Sequence, residues 1–455
     1  MLLSRIGSLG ATFYKQYVAP IVTSYFYNIA SSVSATITRT TESIIMCIGS
    51  VDVASGDSDP ILSVYNSDGS FSQAKQYRAN YANKLESFFI SDDLPYDGVS
   101  KYFVNCSIIG RNSEFLVLDN LFNLTIAKSY AIPNYSVSLR DGSYNSIVNK
   151  VFVSGSISPT VYSQAILFYA RLDTSGIIEN IKFFRSSNII TPSSGANTNI
   201  VTTILTNDDG TKAFLIGRTQ ITSTFEGMFI RCYDTATGNV LWTKSLNSVT
   251  NNTIGAGGIQ MAYENNYLYF ATNYTSGTTR YLWLAKFDEL GNLITQKTMN
   301  LSMGGVQGIT VVNGRVFLAI AGNTSYTNSR LMELDTSFNL IWSNRLTALI
   351  GTSLKSFFIS HIFLEGNDIC LSLTGTIGST LLKFPADGSI PGTGSYLNSG
   401  ITLSYIQSIV TISDATQSVQ SLTMTAPTIA TPTTTTTTAN WSVSTLGISN
   451  SITYI

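Results

Sequence analysis

The chain has 455 residues, of which 44% are apolar and only 12% are charged, against roughly 25% charged in an average globular protein. Its 26 basic and 27 acidic residues give a net charge of −1. Without clustered Lys and Arg, neither a nucleic acid nor an anionic membrane surface is expected as a partner. The length fits one large domain or about three ordinary ones.

Residues 1–35 have apolar side chains at spacings of three and four, which predicts a short helical arm. Pro20 fits the first turn of a second helix, where its missing N–H is harmless. The residues expected on the apolar face are Leu2, Ile6, Leu9, Phe13, Tyr17, Ile21 and Tyr25. The arm could dock on another subunit, fold back on its own domain, or be a signal peptide cleaved after Ala35. No uninterrupted apolar run reaches about eighteen residues, so no membrane span is expected.

After the arm, one short pattern is repeated seven times along the chain. An apolar run is followed by Asp or Asn, a turn containing Gly or Asn, and a second run that often contains Lys. The equivalent positions are Asn66, Asp119, Asp173, Asp234, Asp288, Asp335 and Pro385. Successive copies are 47 to 61 residues apart, close to the length of one four-stranded propeller blade.

Each copy predicts a β-hairpin, because Gly and Asn tolerate the positive φ of a tight turn. A second pair of strand-like runs precedes most copies, as in residues 199–210 and 212–218. Each unit is therefore expected to form a four-stranded sheet, with its polar fourth strand as a protected edge. The sequence predicts an all-β fold, a seven-bladed β-propeller over residues 36–413.

The repeats resemble a known class of bacterial β-propeller repeats. "WLAKFDELGNLIT" (283–295) is close to the FVAKFDPDGNLLW-like consensus, and "YDTATGNVLWTKSL" (233–246) is similar to the repeat of pyrroloquinoline-quinone propellers. The resemblance implies the fold; propellers of this kind serve as enzymes, scaffolds and adhesins. Quinoprotein enzymes often have a vicinal disulfide, whereas Cys47, Cys106, Cys232 and Cys370 are far apart. No cofactor is expected, and these cysteines are expected to be free, buried thiols.

Residues 400–413 form a strand-like run after the last copy. They are predicted to pair beside the N-terminal strand of residues 42–50 and so to fasten the ring, because an open ring would leave unpaired edges. The alternative is a linker. Residues 414–455 contain the Thr-rich stretch "PTTTTTT" and no charge after Asp414. An extended C-terminal tail, paired with a neighbour, is predicted there. This ending resembles structural proteins of marine and cyanobacterial tailed phages.

Possible catalytic and metal sites are not supported by residue spacing. The acidic stretches 52–60, 92–97 and 207–210 lack the regular ligand spacing of a calcium loop, so ordinary turns are expected and no metal site is predicted. His361 is the single histidine and is expected to be structural, because no partner residue lies near it in the sequence.

These observations predict a non-enzymatic virion structural protein of a tailed bacteriophage, associated with the tail, baseplate or fibre. Its terminal segments would bind other virion subunits, and its propeller would contact a partner subunit or a host surface glycan or protein. The alternative is an exported bacterial adhesin or scaffold at the cell surface or in the periplasm. A weaker alternative is a quinoprotein or glycan-cleaving enzyme, the latter needing two carboxylates at a fixed distance.

Overall fold

A computed structural model describes 25 segments of the chain, and all regular elements in them are β-strands. The described residues are 36–39, 45–54, 57–65, 71–79, 85–90, 102–108, 113–132, 135–159, 166–186, 200–222, 225–247, 259–276, 279–302, 305–321, 328–350, 353–354, 357–375, 380–389, 393–396, 401–407, 410–415, 418–421, 424–425, 435–438 and 441–445. The predicted helical arm, with its seven apolar residues from Leu2 to Tyr25, lies outside them. Over these residues, no helix is long and apolar enough to span a membrane.

The first twelve strands form three antiparallel meanders, numbered here as sheets 1 to 3. Sheet 1 contains β1 (Thr36–Arg39), β2 (Ile45–Ala54), β3 (Asp57–Tyr65) and β4 (Phe71–Ala79). Sheet 2 contains β5 (Leu85–Ile90), β6 (Tyr102–Ile108), β7 (Ser113–Leu118) and β8 (Leu124–Ala131). Sheet 3 contains β9 (Tyr135–Asn145), β10 (Lys150–Pro159), β11 (Ile166–Leu172) and β12 (Ile178–Ser186).

The next twelve strands repeat this arrangement in sheets 4 to 6. Sheet 4 contains β13 (Ile200–Thr206), β14 (Lys212–Thr222), β15 (Phe225–Asp234) and β16 (Val240–Asn247). Sheet 5 contains β17 (Gln260–Glu264), β18 (Tyr267–Ser276), β19 (Thr279–Asp288) and β20 (Leu293–Ser302). Sheet 6 contains β21 (Val306–Val312), β22 (Arg315–Ala321), β23 (Asn328–Asp335) and β24 (Leu340–Ile350).

The remaining strands form sheet 7 and a tail. β25 (Ser353–Leu354) pairs with β24, and sheet 7 contains β26 (Phe357–Glu365), β27 (Asp368–Gly375) and β28 (Thr380–Pro385). The tail strands are β29 (Thr393–Tyr396), β30 (Ile401–Gln407), β31 (Ile412–Asp414), β32 (Ser418–Ser421), β33 (Met424–Thr425), β34 (Thr435–Thr438) and β35 (Trp441–Thr445).

The repeat predicted from the sequence coincides with these sheets. Each of the first six copies covers the third and fourth strands of one sheet, and the seventh begins on β28 of sheet 7. The predicted all-β class and the four-stranded antiparallel units are confirmed. Strand β11, the third strand of sheet 3, is nearly continuous in apolar residues because both of its faces are buried. A strand covered on both sides cannot alternate polar with apolar residues.

The core lies between consecutive sheets. One buried cluster joins sheets 2 and 3, and similar clusters join sheets 3 and 4, 4 and 5, 5 and 6, and 6 and 7. Sheets 1 and 2 are in contact through β2 and β5, and sheet 1 also contacts sheet 7, through β1 against β26 and β27. The sheets thus follow one another in chain order, and the first lies beside the last.

The tail corrects two predictions. Residues 401–407 do not pair beside the N-terminal strand; β30 pairs with β24 on sheet 6, and β29 pairs with β30. The fourth strands are not sheet edges either, because β31, β32, β33, β34 and β35 pair with sheets 5, 4, 3, 2 and 1 in turn. Tail strands can take these places because backbone groups along a sheet edge accept any extended chain. The predicted boundary between residues 413 and 414 falls inside β31.

Candidate functional site

One end of the sheets carries the tight connections between first and second strands and between third and fourth strands. We call this end the turn face. Hydrogen bonds connect each sheet with a turn of its neighbour along the series from sheet 1 to sheet 7, mostly from a strand side chain to a carbonyl of the turn. Examples are Tyr130 Oη donating to the Gly176 carbonyl at 2.7 Å and Trp242 Nε1 donating to the Glu289 carbonyl at 2.9 Å. The turns therefore lie side by side on a common surface.

The repeated aspartate organises the turn between third and fourth strands. In sheet 6, Asp335 Oδ1 accepts hydrogen bonds from the Ser337 and Asn339 backbone N–H groups at 2.8 and 2.9 Å, and Oδ2 accepts one from Asn339 Nδ2 at 2.8 Å. Asp119 and Asp288 accept the same three bonds. The repeated carboxylates thus act as turn-forming groups in the hairpins that the repeat predicts.

These hydrogen bonds also set the charge of the turn face. Partial burial alone would raise the pKa of Asp119, Asp173 and Asp335, but hydrogen bonds from the turn outweigh that effect and the pKa lies below its ordinary value. Hydrogen bonds from Thr237 lower the pKa of Asp234, and those from Ser389 lower the pKa of Asp387. The five carboxylates remain ionised in weakly acidic solution because bonds to the charged form favour it.

Each of the six described turns between third and fourth strands has one residue in the left-handed backbone region. Glycine occupies this place in four sheets, for example Gly291 with φ of 78°. Phenylalanine occupies it in sheets 2 and 6, where Phe122 and Phe338 have φ of 60° and 62°. Both rings are buried; Phe122 stacks on Tyr102 with centroids 4.7 Å apart, and Phe338 meets Tyr269 edge-on at 6.2 Å. Burying the ring offsets the strain of this conformation.

Charged groups lock some turns to the preceding sheet. The Glu289 carboxylate forms an ion pair with Lys212 and accepts hydrogen bonds from Tyr263 Oη at 2.5 Å and Asn207 Nδ2 at 3.1 Å. Burial alone would raise the pKa of Glu289, but the bonds from Lys212, Tyr263 and Asn207 lower it below the usual value. The pKa of Tyr263 is raised by burial and by its bond to this carboxylate.

A second lock joins sheets 6 and 7. Glu333 accepts two hydrogen bonds from Arg315, at 2.6 and 2.8 Å, and one from Trp342 Nε1 at 2.7 Å. Arg315 also donates to the Ala386 carbonyl in the turn of sheet 7 at 2.7 Å. In both locks the acidic group is occupied by neighbouring donors of its own chain, so its chemistry is structural.

Among the side chains that the structure describes, the exposed aliphatic ones lie mainly at the turn face. Most connections at the opposite end of the sheets lie outside the described residues. In the described part of the chain nine large apolar side chains are exposed, and all nine are Leu, Ile or Val. Eight of them lie in a turn of this face or in the first two residues of a fourth strand: Leu121, Ile147, Ile177, Val240, Leu241, Leu290, Ile294 and Ile341. The ninth, Leu354, lies on β25. The turn face is therefore the candidate interaction surface.

The structure places some of the other predicted residues. Residues 57–60 begin β3, and residues 207–210 form the turn between β13 and β14, where Asp209 accepts the Thr211 N–H at 2.9 Å. Over the described residues, no cluster of metal-ligating side chains occurs. Cys232 and Cys370 are free and buried, as predicted, and burial raises the pKa of Cys232 to about 12. Residues 92–97 and the side chains of Cys47, Cys106 and His361 lie outside the described part.

The surface was not foreseen from the sequence. Seven of the eight aliphatic residues lie inside the repeats, and Ile147 lies in the turn between β9 and β10. The repeat pattern itself is defined by its Asp and Gly positions. The signal that could have identified them is an apolar residue inside a turn, as in Leu290 and Leu121, where polar residues are the rule.

No protein-family model matches this chain, and no curated protein matches it. Among solved structures, the β-propeller domain of the Trilobed protease from Pyrococcus furiosus, which has an open velcro topology, matches with a TM-score of 0.46 and 11% identity over 78% of this chain and 96% of that chain. Pyrococcus horikoshii acylaminoacyl peptidase matches with a TM-score of 0.45 and 12% identity, over 78% of this chain and 51% of that chain. A structure of prolyl endopeptidases matches with a TM-score of 0.43 and 10% identity, over 82% of this chain and 48% of that chain.

These matches correct one prediction. The sequence predicts a protein that is not an enzyme, whereas the similar solved structures include a protease domain and two kinds of peptidase. The exclusion of enzymatic activity is therefore wrong as a deduction from this fold. At 10 to 12% identity, the likeness concerns the fold alone.

Proposed function

We propose that the seven sheets are the blades of a closed β-propeller whose turn face binds another protein subunit. The ring is supported by the buried clusters between consecutive sheets and by the contact of β1 with β26 and β27. Radial packing of this kind covers both faces of sheets that could not bury them alone.

The observation that carries the binding role is the set of eight exposed aliphatic side chains that the described residues place at the turn face. Exposed apolar residues scattered singly need no explanation, but a set gathered on one surface is typical of a binding site. Five aspartates of the turn face have lowered pKa values because their carboxylates accept hydrogen bonds within their own turns. The exposed surface of the turns combines these aliphatic side chains with polar ones, such as Asn120, Asp208 and Asn266. This mixture favours a protein partner that offers apolar contacts surrounded by hydrogen-bonding groups.

The assembly we propose is a tailed-bacteriophage particle, with the chain in its tail, baseplate or fibre. The low charge content and the terminal sequences support this setting. The described tail strands pair with sheets of their own chain, so we assign the contact with the neighbouring subunit to the turn face. An exported adhesin or scaffold is the second candidate, and an N-terminus cleaved after Ala35 would favour it.

The test is incorporation into particles when a host supplies only a variant chain. The variant L121S/L290S/I294S removes three exposed aliphatic groups from the turn face, and L354S is the matched control on β25. We expect the triple variant to keep its thermal midpoint and to lose incorporation at least tenfold, while L354S incorporates normally. Equal incorporation of all three chains would refute the role of the turn face, and absence of the wild-type chain from particles would refute the setting.

A further inference from the structure

The tail contacts successive sheets in a constant register. Gln407 lies opposite Asn344, Asp414 opposite Lys297, and Ser421 opposite Lys244, so each step from one sheet to the next takes seven residues. Thr438 and Thr445, also seven residues apart, lie opposite Lys128 and Lys75. The paired fourth-strand residues occupy equivalent places in the repeat, nine or ten residues after the turn position.

A seven-residue step has a geometric basis. Seven extended residues span at most about 23–25 Å, enough to follow a strand edge briefly and pass to the adjacent sheet. From Ser421 to Thr438 the chain passes sheet 3 and advances two sheets in seventeen residues. The three extra residues fall in a stretch that contains Pro427 and Pro432. Proline has no N–H to donate to the hydrogen bonds of a β-sheet, which explains why the step is longer by three residues here.

If the tail continues in the same direction after sheet 1, the next sheet that it reaches is sheet 7. The tail has passed sheets 6, 5, 4, 3, 2 and 1 in order, and the other neighbour of sheet 1 is sheet 7. One further step from Thr445 ends at Ile452, within the segment "LGISNSITYI" (446–455). That segment has no proline or charge and alternates Ser451, Ile452, Thr453 and Tyr454, a pattern typical of a strand.

At the place where this step arrives, none of the described strands covers the outer edge of sheet 7. Among the described residues β28 pairs only with β27, whereas sheets 1 to 6 each have at least five strands. The residues that align with a fourth strand contain Pro391, Gly392 and Gly394, and β29 pairs with β30 on sheet 6 instead. The outer N–H and C=O groups of β28 therefore form a template for an added strand.

We propose that the outer edge of β28 is a strand-docking site and that residues 446–455 of the same chain occupy it. The tail then contacts all seven sheets and closes the ring by backbone pairing instead of by a strand shared between the first and last blades. This inference depends on the order of the sheets and is independent of the assembly in which the protein acts.

Hydrogen exchange of the peptide covering 380–385 tests the proposal in the full chain, in I452P and in a chain ending at Thr445. T453S is the matched control, because serine keeps the N–H that proline removes. We expect the β28 amides to exchange at least tenfold faster in I452P and in the truncated chain, and T453S to resemble the wild type. A synthetic 446–455 peptide should restore protection to the truncated chain, and its I452P form should not.

Sedimentation distinguishes the possible sources of the strand. The proposal requires that β28 stays protected in a monomeric full chain. Protection that appears only in a dimer would assign the edge to a second copy and refute it. Equal exchange of β28 in the full and truncated chains would show that residues 446–455 do not dock there, while leaving the turn-face proposal intact.

Discussion

Phe338 should respond to substitution in the reverse of the usual order, with Gly tolerated better than Ala. Its ring is fully buried between sheets 5 and 6, and its backbone has φ of 62°. Removing the ring in either substitution costs about 3–5 kcal/mol. The two substitutions then differ in the backbone alone, because Ala retains the left-handed strain of about 1–2 kcal/mol and Gly releases it.

The unfolded chain opposes this preference, since Gly loses more entropy on folding, by about 0.4–1 kcal/mol relative to Ala. The net expectation at Phe338 is that Gly is the more stable variant by about 0.5–1 kcal/mol. Phe317 is the matched control, because it is equally buried, lies in the regular strand β22 and is not among the residues with positive φ. There Ala should be more stable than Gly by about 0.5–1 kcal/mol.

The assay is urea unfolding of F338A, F338G, F317A and F317G, with midpoints compared at a common slope. Subtracting the Ala-to-Gly difference at Phe317 from that at Phe338 cancels the entropy of the unfolded chain and leaves the strain, about 1–2 kcal/mol. If Gly is worse than Ala by the same amount at both sites, the idea that a buried ring offsets a strained turn is incorrect.

Three other predictions concern the turns and their locks. G291A should destabilise the protein more than G314A, by about 1–3 kcal/mol in urea unfolding. Both glycines have positive φ, but an added Cβ at Gly291 would lie 2.9 Å from Trp242, whereas one at Gly314 would meet nothing closer than 3.8 Å. Equal losses of stability would contradict the packing of the Gly291 turn. E289A should lose about 2–3 kcal/mol by leaving the partners of Glu289 without their acceptor, whereas D414A, in the exposed pair with Lys297, should change stability by less than about 1 kcal/mol. Folding lowers the pKa values of Asp119, Asp173, Asp234, Asp335 and Asp387, so their contribution to stability is present above the unfolded pKa of about 3.9 and is lost as pH falls through the folded pKa values. Thermal midpoints should therefore fall steeply below about pH 4, and D335N should reduce the slope of the midpoint against pH. An unchanged midpoint down to pH 2 would contradict this linkage.

The parts of the fold that repeat were predictable, because each copy obeys the same local rules. Asp288 and Gly291 predict the turn directly from their residue types. Asp288 accepts hydrogen bonds from the N–H groups of the turn, and Gly291 adopts positive φ. The same rules fail at Phe122 and Phe338, where the left-handed residue is aromatic. There, packing against a neighbouring sheet decides the conformation, and no local pattern reports it.

The tail was the least predictable part. Its strands are two to seven residues long and are rich in Ser and Thr, so they carry little periodicity of their own. Their places are set by unpaired groups on the fourth strands, which lie far away in sequence. The seven-residue step becomes visible only when Asp414 and Ser421 are seen opposite equivalent lysines, Lys297 and Lys244.

The candidate surface depends on exposure, which sequence patterns give poorly. Leu290 and Leu284 are separated by six residues in one hairpin, yet Leu290 is exposed at a turn and Leu284 is fully buried. Leu284 lies between Trp283 and Ala285 in an apolar run, and Leu290 lies between Glu289 and Gly291 in the turn. Position in a turn does not decide exposure by itself, because Phe338 also lies in a turn and is fully buried.

A density map of the intact particle, with the chain located by a tag, tests the central claim most directly. The account predicts seven blades, with Leu121, Leu290 and Ile294 buried against a neighbouring subunit at the turn face. A map in which the turn face is bathed in solvent and the opposite end makes the contacts, or in which the number of blades differs from seven, would contradict it.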